Sequence, residues 1–295
     1  MKTVAVVAHK KKVLGGGLDE LRRVLADRGY ADPLWYEAES SRDTPKLAKK
    51  AVAAGADLLF IWGGDGTVQR CVNAVVGSDI DLAILPAGTA NLLATNLEVP
   101  LDIDEAVDIG LKGDRRRLDV GVLNGRCFTV MAGIGFDAVM MENADGKLKD
   151  HFGRLAYIWT GAQAVRVNAR RAKVRVDGKL WFSGKTTCIL IGQMGSLAGG
   201  VSVFPESHPD DGVVEVGVVT AQNAREWARV ITRLVLGNAN RSPLTQMTSG
   251  RTIDIKLNRA APYELDGGAR KARKVHEVSV MPGAITVCVP TKPST

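Results

Sequence analysis

Aromatic side chains are scarce, with Phe, Trp and Tyr together making up 5% of the 295 residues. No basic run is interleaved with them, which argues against a stacking surface for single-stranded nucleic acid. Cysteine is also sparse. Cys71, Cys127, Cys188 and Cys288 lie far apart with no CxxC pair, so a disulfide framework is excluded and buried, reduced thiols of a cytosolic protein are expected. The 4 histidines are scattered and no HExxH occurs, which leaves no basis for a zinc site. No apolar run approaches the ~18 residues of a membrane span. Val4 to Ala8 is cut short by His9-Lys10-Lys11-Lys12, which is too brief for a signal-peptide core. Low-complexity segments, internal repeats and long linkers are missing too. The expectation is a cytoplasmic protein whose membrane contact is peripheral.

What is present is an ordinary globular composition with a basic bias. Apolar residues are 45% and charged residues 24%, and 39 Lys and Arg against 32 Asp and Glu leave a net charge of +7. That balance favours anionic partners such as nucleotides or acidic lipids. The length allows one large or two medium domains.

The stretch that organises the chain runs from Asp57 to Thr67. An unbroken apolar run, Leu58-Leu59-Phe60-Ile61-Trp62, feeds into Gly63-Gly64-Asp65-Gly66-Thr67, and a helix is predicted over Val68 to Val76. Strand, glycine turn and helix present backbone N–H groups to a phosphate. Glycine lets the main chain approach an anion closely. Asp65 is the exception, because a carboxylate beside phosphates is repulsive unless a cation lies between. Asp65 is therefore read as a partner of Mg²⁺ carried in with a nucleotide. The plainer alternative is a capped strand-to-helix turn.

A second such turn follows a second strand. Asp81 to Leu85 closes in Pro86-Ala87-Gly88-Thr89-Ala90-Asn91. Two turns on neighbouring strands could converge on one polyphosphate, with the Thr67 and Thr89 hydroxyls as donors. Around them, strands are expected at Thr3 to Ala8 and Leu34 to Tyr36. Helices are expected from Leu18, from a Thr44 cap followed by Pro45 at N1, and over Asp104 to Leu111. Alternating strands and helices predict an open, mostly parallel three-layer α/β sheet with ligands beyond the carboxyl ends of its strands.

After Gly113 the pattern changes. Asn124-Gly125 and Asp177-Gly178 each separate two alternating runs, as in β-hairpins. Helices are expected over Leu155 to Val167 and Ala224 to Leu236, and strands over Thr252 to Leu257, Glu277 to Val280 and Ile285 to Val289. The division is residues 1–121 as an α/β nucleotide-binding domain, open to completion by 290–295, and 122–289 as a β-rich, sandwich-like domain. Gly133-Ile-Gly135-Phe-Asp-Ala138 fits GxGxxA but follows a hairpin strand, which disfavours a dinucleotide fingerprint. Gly178 to Thr186 has one residue too many for a P-loop and reads as strand. Pro209-Asp210-Asp211-Gly212 is either an acidic turn or a cation site built on Asp211. Tyr263-Glu264-Leu265-Asp266-Gly267-Gly268 is either a hairpin turn or holds a catalytic acid–base group at Asp266. The basic run Arg270-Lys271-Ala272-Arg273-Lys274 would meet lipid or phosphate.

Taken together, these segments resemble the bacterial diacylglycerol kinase and sphingosine kinase family of lipid kinases, within the NAD kinase-like superfamily. The matching pieces are Gly63-Gly-Asp-Gly-Thr67, Leu85-Pro-Ala-Gly-Thr-Ala-Asn91, Ala132-Gly-Ile-Gly-Phe-Asp137, Gly199-Gly200, Pro209-Asp-Asp-Gly212 and Leu265-Asp-Gly267, in the family's order. The resemblance implies ATP in a cleft between two domains, a lipid-acceptor second domain, and transfer of the γ-phosphoryl group to a lipid hydroxyl, diacylglycerol first. It implies that Gly63, Gly64, Asp65, Gly66, Thr67, Val68, Gln69, Gly88, Thr89 and Asn91 hold the nucleotide. A structural Mg²⁺ is implied at Asp211 with the carbonyls of His208 and Val213. Asp65 and Asp119 would serve Mg²⁺–ATP, with Asp266 near the base. Partners would be ATP, a lipid alcohol and an anionic membrane surface, with no nucleic acid and a homodimer left open. Three departures stand out. Ala8-His9-Lys10 replaces the family's Asn-Pro, Leu92 follows Asn91 where Asp is usual, and Gly268 replaces the Glu of Asp-Gly-Glu. The last leaves Asp266 or Glu264 to take the proton. An NAD kinase-like enzyme and a non-catalytic nucleotide- or lipid-binding protein are the alternatives.

Overall fold

All six residues of β1 (Val4–His9) and of β3 (Leu58–Gly63) are buried, the burial expected of parallel strands covered on both faces. The computed structural model describes residues 2–135, 169–197, 201–237 and 242–291. It divides into two compact units, Met1–Val120 with Met281–Thr295, and Gly121–Val280.

In the first unit β1 is followed by α1 (Gly17–Asp27), β2 (Leu34–Ala38), α2 (Thr44–Ala53), β3, α3 (Asp65–Val75), β4 (Asp81–Pro86), α4 (Leu92–Asn96) and α5 (Ile103–Lys112). β5 (Asp114–Leu123) then leads out of it. The strands pair in parallel as β4, β3, β1, β2, and Thr286 and Val287 of the chain's last strand add to β4 opposite Asp81 and Leu82. α1 packs with α5 and α2 with α3. α5 lies so close to the sheet that a Cβ on Gly110 would meet the Phe60 ring and, at 2.9 Å, Ala83. Trp62 is fully buried, and its indole N–H donates to the carbonyl of Lys12 at 3.0 Å.

The second unit is antiparallel. It holds β6 (Arg126–Phe128), β7 (Met131–Ile134), β8 (Arg170–Val176), β9 (Lys179–Thr186), β10 (Cys188–Gly192), β11 (Ser196–Leu197), β12 (Val201–Ser202), β13 (Val214–Val219), α6 (Ala224–Val235), β14 (Thr245–Gly250), β15 (Thr252–Leu265) and the start of β16 (Gly268–Val289). β14, β13, β10, β7, β15 and β16 are successive neighbours, and β8 with β9 extends from β15. β15 changes partner along its length. Ile253 to Leu257 pair with β8, while Tyr263 to Leu265 pair with β7. Its register against β16 shifts between Lys256 and Ala261 and again before Tyr263. Pro262, which has no N–H to give a ladder, sits at that irregularity. One core runs through this unit, with Phe128, Val174, Ile191, Val216, Ile255 and Leu265 among its members. The Asn-Gly and Asp-Gly turns form as expected, with Asn124 and Gly125 at φ 53° and 75° and Asp177 and Gly178 at 48° and 76°, the two positive φ angles of a type I′ hairpin.

Several expectations need correction. α3 begins at Asp65 rather than Val68, so Asp65, Gly66 and Thr67 form its first turn. Asp43, not Thr44, holds the N-cap position of α2, and the Thr44 hydroxyl donates back to Ser41. The separate strands expected at 277–280 and 285–289 are one strand, β16, which also contains the basic run. Because β16 has no turn at the boundary, the return to the first unit starts at Met281, well before residue 290. The run from Arg126 to Ala132 is broken between β6 and β7, since the amides there serve a side chain described below. The expected helix over 155–167, the Gly199-Gly200 pair and residues 136–138 lie outside the described residues.

Candidate functional site

Gly63 ends β3, and Gly64 is the extended cap residue of α3 (φ −93°, ψ −175°). The first N–H groups of a helix have no partner within it, and with the helix dipole they favour an anion. The turn after β4 comes directly against this one. A Cβ on Gly64 would lie 3.0 Å from the Cα of Gly88, and a Cβ on Gly88 would meet the Cα of Gly64 more closely still. Both residues are glycine because two backbones touch. A Cβ on Gly63 would strike Thr67 at 2.5 Å, whereas Gly66 is exposed with nothing within 4 Å of its Cβ position.

The two turns are also tied by hydrogen bonds. The Asp65 carboxylate accepts the backbone N–H of Asn91 at 3.0 Å and that of Leu92 through its other oxygen. Asn91 adopts the left-handed conformation (φ 49°, ψ 47°). Its side-chain oxygen accepts the N–H of Gly88 at 2.8 Å, and its amide donates to the carbonyls of Pro86 and Gly88, each at 3.0 Å. Asp65 thus caps the start of α4 from the start of α3. The residues of the first turn set are brought together: Gly63, Gly64, Asp65, Gly66 and Thr67 with Gly88 and Asn91. Thr89 sits exposed in the same turn. Thr67, Val68 and Gln69 are buried along α3, and the Thr67 hydroxyl lies 3.3 Å from that of Ser41. Ser41, from the loop after β2, has no sequence signal of its own. The cross-link made by Asp65 has only a faint one, an Asn ahead of a short apolar helix.

The residues expected to hold metal lie in different settings. Asp119 is buried, and its Oδ1 accepts the N–H of Gly283 at 2.7 Å. Asp211 is exposed and its Oδ1 accepts the N–H of Val213 at 3.1 Å, with Gly212 at φ 79°. His208 is exposed in the same loop. Nearby, Ser207 donates to Glu215 at 2.9 Å. Burial pushes the Glu215 carboxyl up, and the charge of Asp211 adds to that. Among the described residues no group of three or more His, Cys, Asp and Glu is placed to hold a metal ion.

In the second unit, Asp266 and Gly267 form the type I′ turn between β15 and β16, at φ 43° and 80°. The Asp266 carboxylate is 4% exposed. One oxygen accepts the N–H of Thr129 at 2.8 Å and its hydroxyl at 3.2 Å, and the other accepts the N–H groups of Val130 and Met131 at 2.9 and 3.0 Å. Thr129 and Val130 are the two residues that separate β6 from β7, and Met131 opens β7. Burial pushes the Asp266 carboxyl up, and the four donors oppose it. Glu264 is less engaged. Its Oε2 accepts the N–H of Gly267 at 2.7 Å, while its Oε1 lies beside Gly133, where a Cβ would be only 3.0 Å away. Burial, reinforced by the charge of Asp266, pushes the Glu264 carboxyl up to about 8. Gly133 and Ile134 are paired within β7 and form no phosphate cradle.

The first unit is thus an α/β fold with two mutually tied glycine turns, and the second unit is antiparallel. Residues 11–123 match the diacylglycerol kinase catalytic domain, and residues 129–289 match the YegS C-terminal NAD kinase beta sandwich-like domain. The second match alone covers more than half of the chain, so the chain belongs to the diacylglycerol kinase and YegS-like family of lipid kinases. It is 29% identical to a diacylglycerol kinase of Bacillus subtilis over 76% of this chain and 75% of that one. It is also 29% identical to a Pseudomonas fluorescens protein named "Probable lipid kinase YegS-like", over 97% and 94%. A diacylglycerol kinase structure from Bacillus anthracis shares the fold at TM-score 0.80 and 22% identity, covering 98% and 97%. An NAD kinase from Archaeoglobus fulgidus in complex with ATP does so more distantly, at TM-score 0.57 and 12% identity, covering 97% and 93%. Among the described residues, no helix is long and apolar enough to cross a membrane.

Proposed function

We propose that this chain transfers the γ-phosphoryl group of ATP to the hydroxyl of a lipid, with diacylglycerol as the first acceptor to test. The observation that carries the reading is the pair of glycine turns at Gly64 and Gly88, in backbone contact and locked by Asp65 and Asn91. The exposed backbone at Gly66 and the hydroxyl of Thr89 would receive the phosphates. Positioning and electrostatics then supply most of the rate, as is general for phosphoryl transfer.

Mg²⁺ would be held at Asp65. Its carboxylate stands in the first turn of α3 and holds the backbone of Asn91 and Leu92, which places a negative charge between the two glycine turns. When bound, Mg²⁺ neutralises charge on the phosphates. Asp119 has an oxygen engaged at Gly283 and would act more remotely. Asp211, with one oxygen bonded to Val213 and Glu215 near it, is the place for a second, structural cation. The proton of the acceptor hydroxyl would go to Glu264. Asp266 already satisfies four donors, whereas Glu264 has an uncommitted oxygen and a carboxyl near 8, close to the operating range of a general base.

Labelled ATP should be incubated with diacylglycerol, ceramide, a sphingoid base, a polyprenol and NAD. Label in a lipid supports the proposal. Label in NAD alone would replace it with the NAD kinase reading favoured by the more distant fold relatives, and ATP binding without transfer would leave a binding module. With the lipid acceptor, Glu264→Gln should abolish the rise in kcat/KM toward pH 8. Asp266→Asn should instead lower stability, by about 1–3 kcal/mol for the unsatisfied donors.

A further inference from the structure

β9, β8, β15 and β16 form four adjacent antiparallel strands. One face carries Phe182, Val174, Ile255 and Val278 into the core. The alternate residues point the other way, as a strand requires, and they are exposed. Their registers define rows. One row is Ser183, Lys173, Lys256 and Val275, and the next holds Lys185 and Arg171 side by side. Lys173 and Lys256 are direct cross-strand partners, a like-charge opposition that normally costs stability. Among the described residues, none of Arg171, Lys173, Lys185 and Lys256 forms an ion pair. The acids of this face, Asp254 and Glu277, occupy the row next to Lys173 and Lys256, together with Arg175 and Leu180. β9 and β16, the outer two of these four strands, carry exposed apolar side chains, Leu180 (54% exposed) and Val275 (46%).

We propose that this sheet face, centred on Lys173 and Lys256, docks on an anionic lipid bilayer. The surface is distinct from the basic run of residues 270–274. Opposed lysines kept next to each other are explained by a multivalent anionic partner. The flanking Leu180 and Val275 favour a membrane over nucleic acid, since they offer apolar contact and no aromatic stacking platform. The proposal rests on the lipid-kinase reading only for its biological sense, not for its test.

Co-sedimentation of the full chain with phosphatidylcholine vesicles, with and without phosphatidylglycerol, tests it. Binding is expected only with the anionic lipid, weakening as salt is raised. Soluble glycerol phosphate should not compete; competition by it would show a phosphate pocket instead and overturn the proposal. The Lys173→Gln/Lys256→Gln double variant should lose roughly 30-fold in partition, from about fivefold per charge. Its thermal stability should hold or rise, because a repulsion is removed, so lost binding cannot be put down to unfolding. Unchanged binding of the double variant, or tighter lysine-dependent binding to duplex or single-stranded nucleic acid, would overturn the docking surface. If no lipid is phosphorylated yet vesicle binding depends on these lysines, the kinase proposal falls and the surface stands. If detergent-solubilised lipid is phosphorylated and vesicle binding ignores them, the surface falls and the kinase stands.

Discussion

Asp65 does two jobs at once. In the proposed nucleotide site it is the candidate for Mg²⁺, and as a cap it accepts the N–H groups of Asn91 and Leu92. From sequence, Asp65→Asn reads as a change that stops turnover and leaves the fold intact. The structure changes that expectation. An amide accepts at only one of its two ends, so one backbone donor loses its partner. We expect loss of activity together with a fall of about 1–3 kcal/mol in stability, measured by urea unfolding. His276 gives a residue-scale prediction of another kind. It is fully buried against Tyr263 and its Nε2 has no hydrogen-bond partner among the described residues, and burial lowers its pKa to about 4. The unfolded chain therefore binds a proton below about 6.5 that the folded chain refuses until about 4. Stability should fall as pH drops from 6.5 toward 4, by roughly 2–3 kcal/mol at most. His276→Leu should flatten that limb in a series of melting curves.

At the scale of elements, the two glycine turns behave as one unit. Gly64 and Gly88 touch, so adding a methyl group to either must push α3 and the β4–α4 turn apart. Gly88→Ala should weaken ADP binding and lower stability, whereas Gly66→Ala, facing open space, should leave stability nearly unchanged. Isothermal titration with ADP beside thermal melts would check both. The turns themselves were legible, because glycine and Asn or Asp after a strand have few other uses. The start of α3 was not legible. Gly-Asp-Gly-Thr has poor helix propensity, and only packing of Thr67 and Val68 against the unit's interior makes it helical. The break between β6 and β7 was likewise hidden, since it depends on a carboxylate 135 residues away.

For the molecule as a whole, the first unit is completed by the chain's last strand. Thr286 and Val287 pair with Asp81 and Leu82 on β4, and Gly113 lies against the carbonyl of Val289. A fragment of residues 1–120 would leave β4 with a bare hydrophobic edge. It should aggregate or show non-cooperative unfolding by circular dichroism. The same fragment joined to residues 281–295 through a flexible linker should regain a cooperative transition.

The amino-acid order by itself determined the class of each unit. Period-two and period-three-to-four burial and the Gly, Asn and Asp turns are local signals, readable within a few residues. It also marked the loops proposed to hold phosphate, since Gly63 to Thr67 and Gly88 to Asn91 announce themselves by composition. Only the tertiary structure decided which acids are committed. Asp266 is saturated by the amides of residues 129–131, Asp65 is shared with α4, and Glu264 keeps an oxygen uncommitted. Those distinctions depend on donors brought in from distant segments, and burial and hydrogen bonding are properties of the packed chain, not of the residue.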